Sequence, residues 1–411
     1  MGLLKSPSEN VNHERLSTIF LVTVLMLQVF RRLSTEGYVA VLLIAYIYWF
    51  KSIHFSSKIK GKKAGFYFVI AFIFLPFLSL ITGDIEDFTT AIIRYGAMCP
   101  FLVIGMLYPH IIYNYLDDII KINVLVIVVS AVLMIYQIPF GRISFFVETT
   151  ERLGYERYGS LLGSTTAYGT GSLVALMCLY DFDLVSGWKR LICEFLILIG
   201  GILCLSKAFF VNAAIAYSLI FFFHKSGSAK ISLSIRKMII GSMSLVVLVL
   251  SLYYVIHNTF IGDYFWGMLN YSFDSNSLGV ESDLLDRLTV LPLRAFTYYN
   301  LPYAYYLLFG VGFKGFSGIL GLPQYPMCHN TYFEIILSQG LPVLLCLLSI
   351  YVSAFLSQLK SRDGIACFVK QLVPYILINM LAGQTTYMSV GGILNICIIY
   401  SVSLYHTRRI S

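Results

Sequence analysis

Pro326-Met327-Cys328-His329-Asn330-Thr331-Tyr332-Phe333-Glu334 leads without interruption into an apolar run that extends from Ile335 to Leu356. This segment closes the stretch Asn258–Asn330, the one long polar interruption in a chain that otherwise alternates apolar runs with short connections. Apolar runs of this length are typical of membrane-spanning helices. The stretch therefore predicts an all-helical membrane protein whose spans are divided by one large loop.

His329 stands at the point where this loop meets a predicted helix. Histidine titrates near neutral pH, and the N-terminus of a helix presents unpaired N–H groups and partial positive charge to an anion. His329 is therefore a candidate catalytic residue. A second interpretation is structural, because Thr331 and Glu334 fit the S/T-x-x-E pattern of a capping box that His329 merely precedes.

The composition is that of a polytopic membrane protein, since 58% of the 411 residues are hydrophobic, 12% are charged and the mean hydropathy is +0.78. Backbone polar groups must be satisfied inside lipid, and the apolar runs are too long for barrel strands, so the spans are helices. Basic cytoplasmic loops explain the net charge of +8, so no nucleic-acid partner is expected. We predict about 12 spans near residues 16–30, 37–53, 64–82, 90–108, 119–139, 159–180, 190–205, 208–224, 238–256, 331–358, 366–382 and 387–406.

The predicted spans divide the chain into three parts. Residues 1–256 carry spans one to nine, residues 257–330 form the large loop, and residues 331–411 carry spans ten to twelve. When connections are assigned to alternate sides, 19 of the 29 Lys and Arg residues fall on one side and nine on the other, with Arg94 inside a span. Because positive charge marks cytoplasmic loops, both termini are expected to be cytoplasmic and the large loop extracytoplasmic. Arg94 is either functional or paired with Glu194 or Glu334.

An extracytoplasmic loop has no access to ATP or to cytosolic nucleotide sugars, so any donor that it uses must arrive already activated on a lipid. The segment Gly310-Val311-Gly312-Phe313-Lys314-Gly315 matches G-x-G-x-x-G, but no βαβ unit surrounds it. We interpret it as a flexible turn that returns the loop to the membrane. The acids Asp84, Glu86 and Asp87 are explained by a short solvated loop more simply than by a cation site.

Several basic residues are expected together on the outer side, where they suit phosphate chemistry. Arginine can contact a phosphate with two N–H groups, whereas lysine neutralises it as a point charge. The candidates are Arg152 and Arg157 before span six, Lys207 in a tight turn between spans seven and eight, and Arg287 and Arg294 in the large loop. The alternative is that the arginines before span six pair with the neighbouring Glu151 and Glu156.

Three separated groups of residues form a pattern in a fixed order on this outer side. They are Arg157-Tyr158-Gly159 with Ser164-Thr165-Thr166, then Ser206-Lys207-Ala208, then Arg287 followed by Gly310, Gly312, His329, Asn330, Tyr332 and Gly340. Together, over about residues 150–345, they resemble the O-antigen polymerase and ligase superfamily, bacterial membrane glycosyltransferases of the GT-C class. Because Thr165-Thr166 replaces the Asn-Pro often found in that family, and Leu291 replaces an aromatic residue, Arg152 and Arg294 remain alternatives to Arg157 and Arg287.

The resemblance implies glycan transfer at the outer face of the inner membrane, from an undecaprenyl-pyrophosphate carrier to a sugar hydroxyl. Arg157, Lys207 and Arg287 would neutralise the pyrophosphate, and His329 would deprotonate or orient the acceptor or contact the pyrophosphate. Asn330 and Tyr332 are further candidates for substrate binding. The expected partners are the lipid-linked oligosaccharide, membrane lipid and a chain-length regulator, and no metal or other cofactor is expected.

Three functions are compatible with these features. A polysaccharide polymerase, whose acceptor is another carrier-linked repeat unit, is favoured because repeat polymerases are numerous and diverge widely. An O-antigen ligase has the same donor but transfers to lipid A-core. A lipid-linked oligosaccharide transporter is a hypothesis of another class, and transporters usually place polar groups near the membrane midplane. The concentration of polar residues in one outer loop favours an enzyme.

Overall fold

The computed structural model of the chain describes residues 7–30, 34–53, 63–81, 98–143, 151–152, 155–204, 207–224, 308–310, 330–382 and 389–410. This part of the chain is helical apart from one short β pair, which confirms the expectation of an all-α protein for the described residues. The elements are α1 (Pro7–Met26), α2 (Thr35–Ser52), α3 (Lys63–Ile81), α4 (Cys99–Leu107), α5 (Pro109–Asn114), α6 (Leu116–Phe140), β1 (Glu151–Arg152), β2 (Tyr155–Glu156), α7 (Thr165–Asp181), α8 (Trp188–Leu203), α9 (Lys207–Phe223), α10 (Thr331–Gln339), α11 (Leu341–Gln358), α12 (Gly364–Ala382) and α13 (Val390–Ile410).

Three of the described helices are long and apolar enough to cross a membrane. They lie at Leu116–Phe140, Leu341–Gln358 and Gly364–Leu381. Shorter apolar helices lie at Lys63–Phe74, Phe209–Phe223 and Val390–His406. These helices are compatible with a membrane protein, and the count of about 12 spans stays a prediction.

The predicted span 331–358 is wrong as one helix, because the structure divides it into α10 and α11 at Gly340. The backbone of Gly340 has a φ of +89°, and its N–H donates to the carbonyls of Ile335 (3.1 Å) and Ile336 (2.9 Å). Pro342 follows in the first turn of α11 and has no N–H to continue the hydrogen bonding of α10. A left-handed glycine followed by proline ends one helix and begins the next.

The first helices pack around a buried tryptophan. Trp49 of α2 has no exposed surface, and its indole N–H donates to Thr18 Oγ1 of α1 at 2.9 Å. Its ring stacks on Phe101 of α4, with 5.7 Å between ring centroids. A buried indole needs a partner for its N–H, so this contact fixes how α1, α2 and α4 meet.

Helix α12 lies at the centre of the later helices and contacts α7, α9, α10, α11 and α13. The helices that follow the large loop therefore pack between those that precede it and do not form a separate bundle.

An ion pair and a carboxylate–histidine contact join helix ends at one end of the bundle. Arg15, just before the apolar part of α1, contacts Asp118 in the first turn of α6 through two hydrogen bonds of 2.7 Å. Asp181 at the end of α7 contacts His224, just after α9, with 3.0 Å between Oδ1 and Nδ1. These contacts join the beginning of α1 to that of α6 and the end of α7 to that of α9, and the sequence predicts all four helix ends to be cytoplasmic.

A second cluster at this end is built on Asp363, which precedes α12. Its carboxylate accepts from Ser361 Oγ, from the N–H of Ala366 at 3.0 Å and from His406 Nε2 of α13 at 2.8 Å. The hydroxyl of Tyr113 in α5 contacts the other ring nitrogen of His406 at 3.1 Å. Burial raises the pKa of Asp363, but the hydrogen bonds outweigh it and the pKa lies below its ordinary value. The ionised carboxylate therefore links α5, α12 and α13.

The opposite helix ends also meet. The N–H of Val29, just beyond α1, donates to the carbonyl of Leu161 at 3.1 Å, and Gln137 near the end of α6 donates to the carbonyl of Gly159 at 3.1 Å. Both acceptors lie shortly before α7. The ends of α1 and α6 thus meet the start of α7, and their beginnings meet at the opposite end of the bundle. This is the arrangement expected of α1 and α6 running in one direction and α7 in the other, as the predicted topology requires.

Candidate functional site

Three of the predicted site residues, Arg287, Arg294 and His329, lie outside the described residues, as do Arg94 and the acids at 84, 86 and 87. Of the predicted loop at 257–330, the structure describes residues 308–310 and Asn330. The described part of the candidate site therefore consists of the helix ends that carry the remaining residues.

A short hairpin precedes the first motif. Strands β1 and β2 pair antiparallel, with Glu151 opposite Glu156 and Arg152 opposite Tyr155. Arg157 follows the second strand directly. Arg152 lies in β1, and Arg157 directly follows β2, the strand paired with it. Arg152 and Arg157, the two alternatives for the first arginine of the motif, therefore belong to the same hairpin.

The side chain of Arg157 is partly buried and contacts the end of α8. Its Nε–H donates to the carbonyl oxygen of Cys204, the C-cap of that helix, at 2.9 Å. Carbonyls at a helix C-terminus lack intrahelical partners and carry partial negative charge, which a cation stabilises. Lys207, the first residue of α9, lies three residues beyond Cys204 in the chain. The structure thus brings Arg157 to the C-cap of α8, three residues before Lys207 in the chain.

The small residues after Arg157 have packing and capping roles. Ser164 is the N-cap of α7, and its Oγ accepts from the N–H of Ala167 at 3.0 Å. Gly163 has a φ of +75°, and a Cβ there would lie 3.0 Å from the Cβ of Gln28. Gly159 is buried against Gln137. This part of the motif therefore seats the start of α7 between α1 and α6.

Asn330 is the N-cap of α10. Its side-chain oxygen accepts from the N–H groups of Tyr332 (3.1 Å) and Phe333 (3.3 Å), and the residue is 3% exposed. The capping box predicted at Thr331 and Glu334 is wrong by one residue, because asparagine is among the strongest N-caps and takes the position ahead of Thr331. Glu334 then lies one position too far along the helix for a capping box, and its backbone N–H donates to the carbonyl of Asn330 at 2.9 Å.

Tyr332 connects α10 to α12. Its hydroxyl donates to the carbonyl oxygen of Leu377 at 2.8 Å, and its ring is half-buried. Both Asn330 and Tyr332 thus hold the first turn of α10 in place. Substrate binding by these two residues stays a prediction, and their observed contacts position the chain directly after His329.

Gly310 and Gly340 of the predicted motif lie in two segments that pack closely together. Gly310 faces the backbone of Ser338 and Gln339, and Gly340 faces the backbone of Leu308 and Phe309. Both have positive φ, +67° and +89°. A Cβ on Gly310 would lie 2.3 Å from the carbonyl carbon of Ser338, and a Cβ on Gly340 would lie 2.4 Å from the carbonyl oxygen of Leu308. Contacts this short exclude any side chain. The interpretation of Gly310 as part of a flexible turn is therefore wrong at this residue, which is buried against the junction of α10 and α11.

Charged groups within the helices are engaged with tyrosines. Glu194 of α8 accepts from the hydroxyl of Tyr180 on α7 at 2.9 Å and from that of Tyr217 on α9 at 2.8 Å. Arg190 lies over the ring of Tyr180, 4.0 Å from its centroid. No group of three or more His, Cys, Asp or Glu side chains suitable for a metal ion occurs among the described residues.

Sequence reasoning missed a set of neutral polar side chains inside the helices. Asn212 of α9 donates to the side chain of Asn379 on α12, and Tyr375 of α12 donates to the carbonyl of Thr170 on α7 at 3.2 Å. An asparagine within an apolar run was the available signal, because an amide buried in a bundle requires a partner. The identity of that partner depends on which helices become neighbours.

Comparison with known proteins finds no family model that matches this chain and no curated protein that matches it. The observation that bears on function is the convergence of helix ends. The helix end that holds Arg157, the start of α9 at Lys207, and the start of α10 at Asn330 all lie at the same end of the bundle, and α9 and α10 are joined through α12.

Proposed function

We propose that the protein is a polysaccharide polymerase of the membrane, a metal-independent glycosyltransferase that lengthens an O-antigen or another surface glycan. In this proposal the donor is a glycan on undecaprenyl pyrophosphate, and the acceptor is a hydroxyl of a second carrier-linked repeat unit at the outer face of the inner membrane. The convergence of separated motif segments at one end of the bundle is the observation that carries the proposal. Residues 157–164, Lys207 and Asn330 are far apart in sequence, and they stand at or directly before the starts of α7, α9 and α10.

The proposed reaction exchanges one bond for another at the anomeric carbon. The acceptor hydroxyl oxygen forms a bond to that carbon while the bond from the carbon to the carrier phosphate breaks. The electron pair of the broken bond leaves with undecaprenyl pyrophosphate, and the hydroxyl proton passes to His329. Negative charge develops on the pyrophosphate, so fixed cations accelerate the step where they contact that group.

The roles of the basic residues follow from this charge. Arg157, Lys207 and Arg287 bind the pyrophosphate, with Arg152 and Arg294 beside them as further phosphate contacts. The hydrogen bond of Arg157 to Cys204 supports the assignment, because an arginine anchored at the backbone loses less conformational freedom when it binds a phosphate. The cap at Asn330 supports the role of His329, because it fixes the backbone one residue later.

A glycan ladder distinguishes the polymerase from the ligase, which uses the same donor. A strain that lacks the gene is expected to carry a single repeat unit on lipid A-core and no ladder. Loss of every repeat unit from the core would instead identify the ligase. Purified protein with lipid-linked repeat units as the only substrate is expected to produce longer lipid-linked glycans, which a ligase does not make.

A transporter of lipid-linked oligosaccharide is the second candidate, and one observation favours it. The pairs Asn212–Asn379 and Thr170–Tyr375 place neutral polar groups inside the bundle, where transporters often bind their substrates. Transbilayer movement of a lipid-linked glycan in vesicles that hold the purified protein, without any lengthening of the glycan, would identify this activity.

A further inference from the structure

The outer half of α12 joins the helices that carry the separate motif segments. Asn379 accepts a hydrogen bond from the side chain of Asn212 on α9, and its own amide donates to the carbonyl of Tyr375 at 2.9 Å. The hydroxyl of Tyr375 donates to the carbonyl of Thr170 on α7 at 3.2 Å. Helices α7 and α9 are thus both bonded to one short segment of α12.

The same segment of α12 also holds α10. The carbonyl of Leu377, two residues before Asn379, accepts from the hydroxyl of Tyr332 at 2.8 Å. Tyr332 in turn lies in the turn that Asn330 caps, directly after His329. Residues 375–379 therefore contact three helices, and α12 itself contributes none of the predicted site residues.

From these contacts we infer that Asn379 and Asn212 are positioning residues that hold the outer ends of α9 and α10 in register. Asn212 lies five residues after Lys207, which corresponds to about 7.5 Å along the helix axis. This inference rests on the proposed function, because it assigns to the pair the task of holding the start of α9, whose first residue is Lys207, in register with the start of α10, which Asn330 caps. Neither asparagine is assigned a contact with the reacting atoms.

Burial makes this pair suitable for setting register. Asn212 is 6% exposed and Asn379 is 8% exposed, so an amide displaced from its partner would find no water to replace it. Apolar side chains at the same contact could slide past one another without losing a directional bond. A single buried polar contact between helices is known to select one register over its neighbours.

Gln371 of α12 provides a matched control for substitutions of Asn379. Gln371, Tyr375 and Asn379 are spaced by four residues and lie on one face of α12. Gln371 is fully buried, and neither polar atom of its amide has a partner among the described residues. Replacing Gln371 with Leu removes a buried amide from the same face without removing a hydrogen bond.

The test measures glycan transfer by purified variants. Asn379→Leu and Asn212→Leu are expected to lower kcat on the order of 10²-fold with KM little changed, because misplaced groups slow chemistry. Gln371→Leu is expected to retain the wild-type kcat. The variant Lys207→Ala/Asn212→Leu should be no slower than Lys207→Ala, since Asn212 acts through the placement of Lys207. Multiplied losses in the combined variant would overturn the inference.

A second measurement separates this inference from the proposed function. Hydrogen–deuterium exchange at residues 207–212 and 330–336 is expected to rise in Asn379→Leu and to stay at the wild-type level in Gln371→Leu. If wild-type protein transfers no glycan, the proposed function is wrong. The exchange measurement still tests the positioning role in that case, because it does not depend on glycan transfer. If Asn379→Leu does not fold, Asn212→Leu/Asn379→Leu leaves no orphaned amide and takes its place. Unchanged exchange in the folded variant would refute the positioning role.

Discussion

Asn330 caps α10 with its side-chain oxygen and stands directly after His329 in the chain. Arg157 is anchored in a comparable way, through the carbonyl of Cys204, the C-cap of α8. In both cases a residue of the motif is bonded to backbone atoms at a helix end. The described part of the candidate site therefore consists of groups whose positions are fixed by hydrogen bonds to the backbone at helix ends.

The cap at Asn330 leads to a stability prediction. Asn330→Ala should lower the free energy of unfolding by about 1 kcal/mol, because the N–H groups of Tyr332 and Phe333 lose their acceptor. Asn330→Asp retains an oxygen acceptor and should remain close to wild type. Thermal unfolding in detergent measures both variants. Thr331→Val is the control, and a larger loss there than in Asn330→Ala would restore Thr331 as the cap.

His329 is the residue on which the catalytic proposal depends most. His329→Ala leaves the cap of Asn330 in place, so helix α10 should persist and the protein level should be unchanged. If His329 accepts the proton, the transfer rate should fall on the order of 10²–10⁴-fold. Arg142, an exposed residue outside the motifs, provides the control as Arg142→Ala. Full-length ladders from a strain with normal levels of His329→Ala would end the catalytic assignment.

Substitutions of the arginines test whether positive charge alone is sufficient at the phosphate or whether two-point contact is also needed. Arg157→Ala and Arg287→Ala should each reduce the transfer rate by roughly the same order as His329→Ala, because negative charge on the leaving group loses a cation. Arg157→Lys should restore part of the rate if charge suffices and none if two-point contact is needed. The measurement is product formation from a lipid-linked donor at saturating acceptor. Wild-type rates in both alanine variants would remove these residues from the site.

At the scale of elements, the junction between α10 and α11 shows how a predicted single span becomes two helices. Gly340 adopts a left-handed conformation, and the segment 308–310 of the large loop packs directly against it. The close approach of Leu308 requires a residue without a side chain. Residues 308–310 are therefore held against the helices at this junction.

A substitution at this junction should be strongly destabilising. Gly340→Ala places a Cβ 2.4 Å from the carbonyl oxygen of Leu308 and imposes on alanine a backbone of φ +89° and ψ +161°, a region essentially confined to glycine, which by itself costs on the order of 1–3 kcal/mol. The temperature of thermal unfolding should fall. Gly391→Ala is the matched control, because a Cβ there meets nothing within 4 Å and alanine favours a helix. Equal unfolding temperatures for the two variants would contradict the packing at the junction.

At the scale of the whole molecule, helix ends fall into two groups that face opposite ways. The ion pair Arg15–Asp118 and the pair Asp181–His224 lie at one end, and the contacts of residues 157–163 lie at the other. This arrangement matches the alternating directions predicted for the spans. The distribution of Lys and Arg predicts that the first end is cytoplasmic.

Topology reporters test that assignment. Fusions at Lys60 and Lys230 should report the cytoplasm, and a fusion at Asp274 should report the opposite side, because 19 of the 29 basic residues fall on the side of the first two. Alkaline phosphatase and a fluorescent protein give opposite signals on the two sides. An extracytoplasmic signal from Lys230 would reverse the orientation and remove the large loop from the outer face.

Removal of divalent cations tests how the pyrophosphate is activated. Purified protein should transfer glycan at an unchanged rate in EDTA, because arginine and lysine side chains supply the positive charge. Transfer by the same sample before chelation serves as the reference. A rate that vanishes in EDTA and returns with magnesium would transfer the role from the basic residues to Asp84, Glu86 and Asp87.

Properties that depend on local composition were determined by the sequence alone. Hydropathy predicts helices such as α6 and α12 because a long apolar run has no other stable form in lipid, and the meeting of the loop with a helix near Asn330 is visible in the polarity change. The exact cap was predicted one residue late, because Asn330 and Thr331 are both suitable N-caps and local sequence does not separate them. Gly340 was assigned to a continuous span because hydropathy is insensitive to the sign of φ.

The tertiary structure alone decided which residues become neighbours. Asn212 and Asn379 are 167 positions apart, and Arg157 is 47 positions from Cys204. The polarity of each side chain can be read from the sequence, but a hydrogen bond depends on distance and direction between atoms that only the packed bundle brings together. Loss of a buried amide's partner is costly in such a bundle, so these distant pairs decide how the helix ends that carry the candidate site are held together.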